Sequence, residues 1–221
     1  MNIQLLGLYA GGISHIGIDK EPSGIIKQKL AGAVQIGPEG IIGDVQANRR
    51  VHGGPEKALH HFAAETFPGL AAAFPAAADK LRPGSIGENI STQGLTEAQA
   101  CIGDVFRLGS CLLQISQPRR PCWKIDLRYD LEGIRAQIEN QGTTGWYYRV
   151  LETGQCSPED ELSQQEQPHP SWTILRINAL ENAHRPAFEE IEAASQLDAL
   201  NTDWRRRFAQ RVQWLSKNPD A

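Results

Sequence analysis

Gln117-Pro118-Arg119-Arg120-Pro121-Cys122 leaves a strand-like run and enters a loop that prolines stiffen on both sides. The run before it, Cys111 to Ser116, puts Cys111, Leu113 and Ile115 on one face by the two-residue period of a strand. Upstream, Asp104-Val105-Phe106-Arg107-Leu108 is a second such run, and the Gly109-Ser110 pair between them suits a type II′ hairpin turn. Downstream, Leu131 to Gln141 reads as a helix with Asp130 as N-cap and Gly142 as its stop. Trp146 to Leu151 then reads as a further strand, closed by Gly154. The middle of the chain is therefore β-rich.

Further out, residues 1–60 are rich in glycine and β-branched residues, and 25–30 and 40–45 read as short strands and turns bounded by glycine or proline. A helix is expected from Glu56 to about Phe67, with Pro55 in the tolerant first turn and Pro68 ending the run. Ser157 to Ser171 is polar and proline-bearing and reads as a linker. Three short helical patterns follow. The second opens at Pro186 and is expected to bury Phe188 and Ile191; the third starts near Thr202 and repeats Trp204, Phe208, Val212 and Leu215 at helical spacing. Arg205, Arg206, Arg207 and Arg211 crowd this last helix and read as a solvated face.

Composition narrows the function classes. The 221 residues suffice for one full domain and a small appendage. A net charge of -4 argues against a generic nucleic-acid binder, yet leaves room for a local basic pocket. No apolar run approaches the ~20 residues that cross a bilayer, and the segment Met1 to Leu6 has no positive region or cleavage signature. A cytoplasmic location, with no membrane partner, is the default expectation. Cys101, Cys111, Cys122 and Cys156 form no CxxC pair, which removes zinc-ribbon and thioredoxin-like readings. Nucleotide-loop, hydrolase-elbow and zincin signatures are missing too.

Four segments carry candidate chemistry. Fixed cations beside a thiol favour the thiolate, the form that ligates metal, so Arg119 and Arg120 single out Cys122; the plain alternative is a small buried hydrophobe. In His52-Gly53-Gly54-Pro55-Glu56-Lys57, paired glycines let the backbone approach a ligand, and the N–H groups of the expected helix suit an anion. Lys57 in a first helical turn opposes the helix dipole, which a bound phosphate would explain; the alternative is an ordinary turn. His60 and His61, adjacent on that helix, make a poor metal pair, and Arg49 and Arg50 add charge nearby. In Gly84 to Ser91, Asn89 and Ser91 offer hydrogen bonds to a polar ligand.

Taken in order, Val51-His52-Gly53-Gly54-Pro55, Gly87-Glu88-Asn89, Gln117-Pro118-Arg119-Arg120-Pro121-Cys122 and Gly145-Trp146 resemble the MOSC family, named for the C-terminal domain of molybdenum cofactor sulfurase. Within it they look like the bacterial YiiM-type branch, linked to N-hydroxylaminopurine resistance. The resemblance implies a mainly β, barrel-like core with peripheral helices at 1–168 and a small three-helix domain at 169–221. It implies molybdenum cofactor, a molybdopterin whose metal takes one protein cysteine, here matched by Cys122. Arg119 stands at the motif's arginine and Arg120 at its variable position. Lys57, His52 and Arg119 are the candidates for the pterin phosphate, with Gly53, Gly54, Asn89, Ser91 and Arg120 completing the expected cofactor site.

The expected activity is reduction of N-hydroxylated bases such as N-hydroxylaminopurine to amines, with the cofactor supplying the redox chemistry. The partners expected are a small N-hydroxylated substrate and a separate electron-donor reductase; a homodimer is compatible with this reading. Two other classes remain open: a non-catalytic carrier of cofactor or sulfur through Cys122, and a thiol redox sensor.

Overall fold

The computed structural model describes residues 3–218; Met1 and Asn2, part of the N-terminal segment read above, and residues 219–221 lie outside it. In chain order the strands are β1 (Gln4–Ala10), β2 (Ser14–Ile16), β3 (Glu21–Ser23), β4 (Gln28–Lys29), β5 (Val34–Gly37), β6 (Gly40–Ile41), β7 (Leu59–Ala63), β8 (Ile90–Gln93), β9 (Val105–Leu108), β10 (Cys111–Pro118), β11 (Trp146–Glu152), β12 (Gly154–Cys156) and β13 (Leu162–Glu166). The helices are α1 (Arg49–His52), α2 (Thr66–Ala73), α3 (Lys124–Tyr129), α4 (Ile134–Gln141), α5 (Ile174–Asn182), α6 (Phe188–Ser195) and α7 (Thr202–Lys217). Eight strands form the main, half-barrel sheet in the order β13-β9-β10-β11-β7-β8-β1-β4. Its pairs are antiparallel except β7 with β8. The fold is thus the expected barrel-like β core with peripheral helices.

The hairpin that anchors the sheet forms as its turn residues dictate. Gly109 has a φ of +57° between β9 and β10, and Cys111 pairs with Leu108. Cys111, Leu113 and Ile115 are fully buried in one apolar cluster with Phe106, Trp146 and Tyr148, as the period of two requires. A second cluster, including Phe62, Phe67, Leu70, Ile125, Ile134 and Ile138, lies under α2, α3 and α4.

Several elements depart from the sequence reading. The helix expected from Glu56 to about Phe67 is a single 3-10 turn, Pro55–Lys57, followed by strand β7. All five β7 residues are buried, so the strand has no wet face to reveal its period, and a fully buried run cannot be told from a helix by pattern. Pro68 lies in the first turn of α2 instead of ending a helix. Residues 124–129 form α3, which the sequence reading left unassigned, and Asp130 is its left-handed C-cap, φ +52°, not an N-cap. The supposed linker contains β13, an edge strand on β9 with a single buried side chain, Leu162. Edge strands carry polar residues outward, which made this one look like a loop.

The three C-terminal helices form as expected, with Thr173 and Asn201 as side-chain N-caps of α5 and α7. Ile191 is fully buried, whereas Phe188 is exposed. The arginine row on α7 is not a plain solvated face. Arg211 donates to the carbonyls of Leu180 at 3.2 Å and Glu181 at 3.0 Å, closing the C-terminus of α5. Arg207 pairs with Glu181. Ile174, Ile177, Ile191, Trp204 and Phe208 join the same apolar cluster as Leu113 and Trp146. No helix among the described residues is long and apolar enough to cross a membrane.

Candidate functional site

Strand alternation decides what faces the site. On β7, Leu59 belongs to the first core, and His61 stacks there on Trp146 at 4.2 Å between centroids. The intervening His60 and Phe62 face the other way. On β11, Trp146 and Tyr148 enter the first core and Tyr147 does not. His60 and Tyr147 therefore meet on the opposite face, their rings 5.5 Å apart, and both line a cavity of about 550 Å³.

Charge in this cavity is one-sided. Lys27, Lys57, Arg119, Arg120, Lys124 and Arg135 line it and, among the described residues, no Asp or Glu does; Arg120, Lys124 and Arg135 each pair with a carboxylate off the lining, Glu181, Glu21 and Glu139. Asp44 is consumed by a buried ion pair with Lys27 and by the Asn89 amide, which donates to it at 2.9 Å. The Lys27 amine is pushed below its ordinary value, first by burial, which Asp44 opposes. Glu88 is fully buried in its own loop and accepts the Ile86 N–H at 2.9 Å. Burial pushes its carboxyl up while those backbone donors pull it down. A chain of net charge -4 thus concentrates cations at one cavity.

The Cys122 loop is held by backbone. Arg119 N–H donates to the Gly145 carbonyl at 3.0 Å, and Gly145 N–H donates to the buried Glu97 carboxylate at 2.7 Å. Gly145 has φ +71°, and a Cβ there would sit 2.2 Å from the His61 carbonyl oxygen, so only glycine fits. This is the physical content of the Gly145-Trp146 element. The Arg119 side chain is 5% exposed. One of its amines reaches the Ile86 carbonyl at 3.4 Å. Its Nη1 is buried without a partner, as is Nε2 of His60. Buried polar atoms are normally satisfied, so two orphans on the walls of one cavity point to a polar ligand.

His52, His60 and His61 are held in the neutral form. Burial, then the charges of Arg119, Lys57 and Lys124, push His52 down to about 4. Burial and Arg119 hold His60 well below its usual range. His61, pushed down by burial to about 3, is a core residue bonded to Tyr148 at 3.0 Å and Thr92 at 2.8 Å.

Of the residues singled out from sequence, His52, Lys57, Asn89, Arg119, Arg120 and Cys122 converge on the cavity, whereas Gly53, Gly54 and Ser91 are not on its lining. The expected helix N-terminus at Pro55 does not exist; Gly54, φ +92°, turns the chain, and Lys57 Nζ donates to the Val51 carbonyl at 2.7 Å. Asn89 spends its side chain on Tyr9, Asp44 and His60, and the Ser91 hydroxyl donates to the Phe62 carbonyl at 3.1 Å. Arg120 pairs with Glu181 of α5 and lies 5.4 Å from the Trp204 ring centroid. Arg49 pairs with Glu39 on the surface. Lys27, His60, Trp123, Lys124 and Tyr147 were not read as site residues. Period two on β11 was the one signal available, since it sets Tyr147 opposite Trp146 and Tyr148. Cys101, Cys111 and Cys156 are buried, and burial pushes all three thiols up, Cys101 and Cys156 to about 12. Cys156 lies in β12, not in a linker.

With this geometry in view, comparison with known proteins is specific. The MOSC domain family model matches residues 48–163. The chain is 40% identical over 142 residues to protein YiiM of Escherichia coli, covering 64% of this chain and 63% of YiiM. It is 33% identical over 195 residues to a protein of Gibberella moniliformis named reductase, covering 87% of this chain and 35% of that one. The chain thus spans less than two thirds of the length of either relative. The crystal structure of YiiM from Geobacillus stearothermophilus superposes with a TM-score of 0.79 at 27% identity, over 96% of this chain and all of that one.

Proposed function

Because this chain belongs to the MOSC domain family, we propose that it is a molybdenum-cofactor-dependent reductase of N-hydroxylated bases. The observation that carries the reading is the cavity itself: Cys122 in its wall, six Lys and Arg side chains around it, and no carboxylate on its lining. The cofactor fits that donor set. Its phosphate suits buried Arg119, with Lys57 beside it and neutral His52 as a hydrogen-bond donor. The volume is in the range of small-molecule sites. Among the described residues no cluster of three or more His, Cys, Asp and Glu is placed to hold a metal. Cys122 is the one sulfur on the cavity lining among the described residues, and sulfur is a soft ligand for a metal already bound through sulfur.

The bound cofactor would supply two-electron transfer at its metal. The net change is R–NHOH + 2e⁻ + 2H⁺ → R–NH₂ + H₂O. The chain's own groups bind, orient and keep the site basic. Burial keeps the Tyr147 phenol protonated, so it is one proton-bearing group on the cavity lining, beside His60 and His52. A relative named reductase supports this class. The chain has no flavin or nucleotide fingerprint, so the electrons come from a separate reductase.

The test is molybdenum and pterin analysis of the purified chain, followed by turnover of N-hydroxylaminopurine with reduced viologen. Molybdenum with turnover supports the reading, provided NADPH alone does not sustain it. Molybdenum without turnover points to the carrier, and absence of both to the thiol sensor.

A further inference from the structure

Two large apolar side chains line the mouth of the cavity and remain wet: Trp123 is 54% exposed and Val51 49%. An exposed tryptophan covers nothing in the core; its large face is left for something else. Trp123 follows the candidate metal ligand directly and leads into α3, a position that fixes its backbone. Lys124 Nζ lies 5.5 Å from its ring centroid and is itself tied to the Pro22 carbonyl at 2.6 Å and to Glu21 at 3.4 Å. The ring is thus held in place beside an otherwise polar site. Asn48, whose side chain makes no capping bond to α1, lines the same cavity. A side-chain amide matches the paired donor and acceptor on the edge of a purine.

We infer that Trp123 is the specificity-determining platform on which the planar heteroaromatic ring of the substrate stacks, in a cavity that Val51 and Asn48 also line. The inference rests on the reductase reading for its substrate. Of the groups suited to the pterin phosphate, Arg119 is buried at the cavity wall, whereas Trp123 is exposed. The substrate ring is therefore the occupant.

The experiment uses the full-length, cofactor-loaded chain and the variants Trp123→Ala and Trp123→Phe. Two substrates are compared, 6-N-hydroxylaminopurine and the small non-aromatic hydroxyurea, together with calorimetric binding of the purine and the molybdenum content of each variant. Trp123→Ala should raise KM for the purine about tenfold more than for hydroxyurea, and Trp123→Phe should restore most of the difference. Equal changes for both substrates, or none, overturn the inference. So does loss of molybdenum from Trp123→Ala with KM unchanged, which would assign the ring to the pterin. If the wild-type chain reduces neither compound, the reductase reading fails, and binding then decides the platform alone. Purine binding that needs an aromatic residue at 123 upholds it, and binding indifferent to that residue overturns it.

Discussion

Arg149 and Glu56 meet through two parallel hydrogen bonds, Nε to Oε1 at 2.9 Å and Nη2 to Oε2 at 2.6 Å. The pair joins strand β11 to the 3-10 turn Pro55–Lys57, which carries Lys57 and follows α1 with His52. The same guanidinium donates to the Ala199 carbonyl at 2.9 Å and to Gln114 Oε1 at 2.8 Å. Asn201 N–H in turn donates to the Ser116 carbonyl at 2.9 Å, and the Ser116 hydroxyl to the Glu56 carbonyl at 2.6 Å. The segment before α7 thus braces one wall of the cavity through Glu56, and α5 braces the other through the Glu181–Arg120 pair.

Lysine cannot reproduce the fork of Arg149. Arg149→Lys should cost about 1–2 kcal/mol in urea unfolding, since two bonds to the Glu56 carboxylate, one to the Ala199 carbonyl and one to Gln114 depend on it. It should also increase proteolytic nicking near residues 50–57. Unchanged stability and unchanged nicking would mean that the wall is held by other contacts.

Cysteine replacement separates the site thiol from the core thiols. Cys122→Ser changes one atom of a half-buried loop residue, so the fold should persist while molybdenum retention and N–OH reduction fall to background. Cys101→Ser, Cys111→Ser and Cys156→Ser should keep cofactor, at some cost in stability because each places a hydroxyl in a buried site. Reconstitution of all four variants checks this. Retention of wild-type rate by Cys122→Ser, with loss in another variant, would move the metal ligand elsewhere.

Glu97 should make stability depend on pH. Burial raises its carboxyl from an ordinary 4.5 to about 7 in the folded chain. A folded value above the unfolded one means that its contribution is fully present below pH 4.5 and is lost as pH rises through 7, on the order of 3 kcal/mol. Glu97→Gln keeps an oxygen for the Gly145 N–H but carries no charge to desolvate. It should match the wild type in thermal unfolding near pH 5 and exceed it at pH 8. An equal offset at both pH values would rule out titration of Glu97 as the cause.

The division at residues 168 and 169 is a proposal with a direct test. All strands of the main sheet end by Glu166, so a chain truncated there keeps every main-sheet hydrogen bond. It loses Ile174, Ile177, Trp204 and Phe208 from the shared apolar cluster. The truncated chain is expected to unfold cooperatively at lower temperature and to be less soluble, because apolar area is uncovered. Non-cooperative unfolding would make the helices part of one core.

The sequence by itself determined what depends on local geometry or on a period with one wet face. The Gly109-Ser110 turn, the apolar face of β10, the proline-stiffened approach to Cys122 and the stripe of α7 could all be read from neighbours within a few residues. Tertiary structure alone decided the rest. β7 is buried on both faces, so its pattern did not distinguish strand from helix until pairing with β8 and β11 fixed it. β13 has one buried residue and becomes a strand only against β9. The basic cavity joins Lys57 and Arg119, legible from their motifs, to Lys27 and Lys124, which no sequence signal marked. They gather because long-range strand pairing brings their loops to one face, and a period measured along the chain carries no information about that encounter.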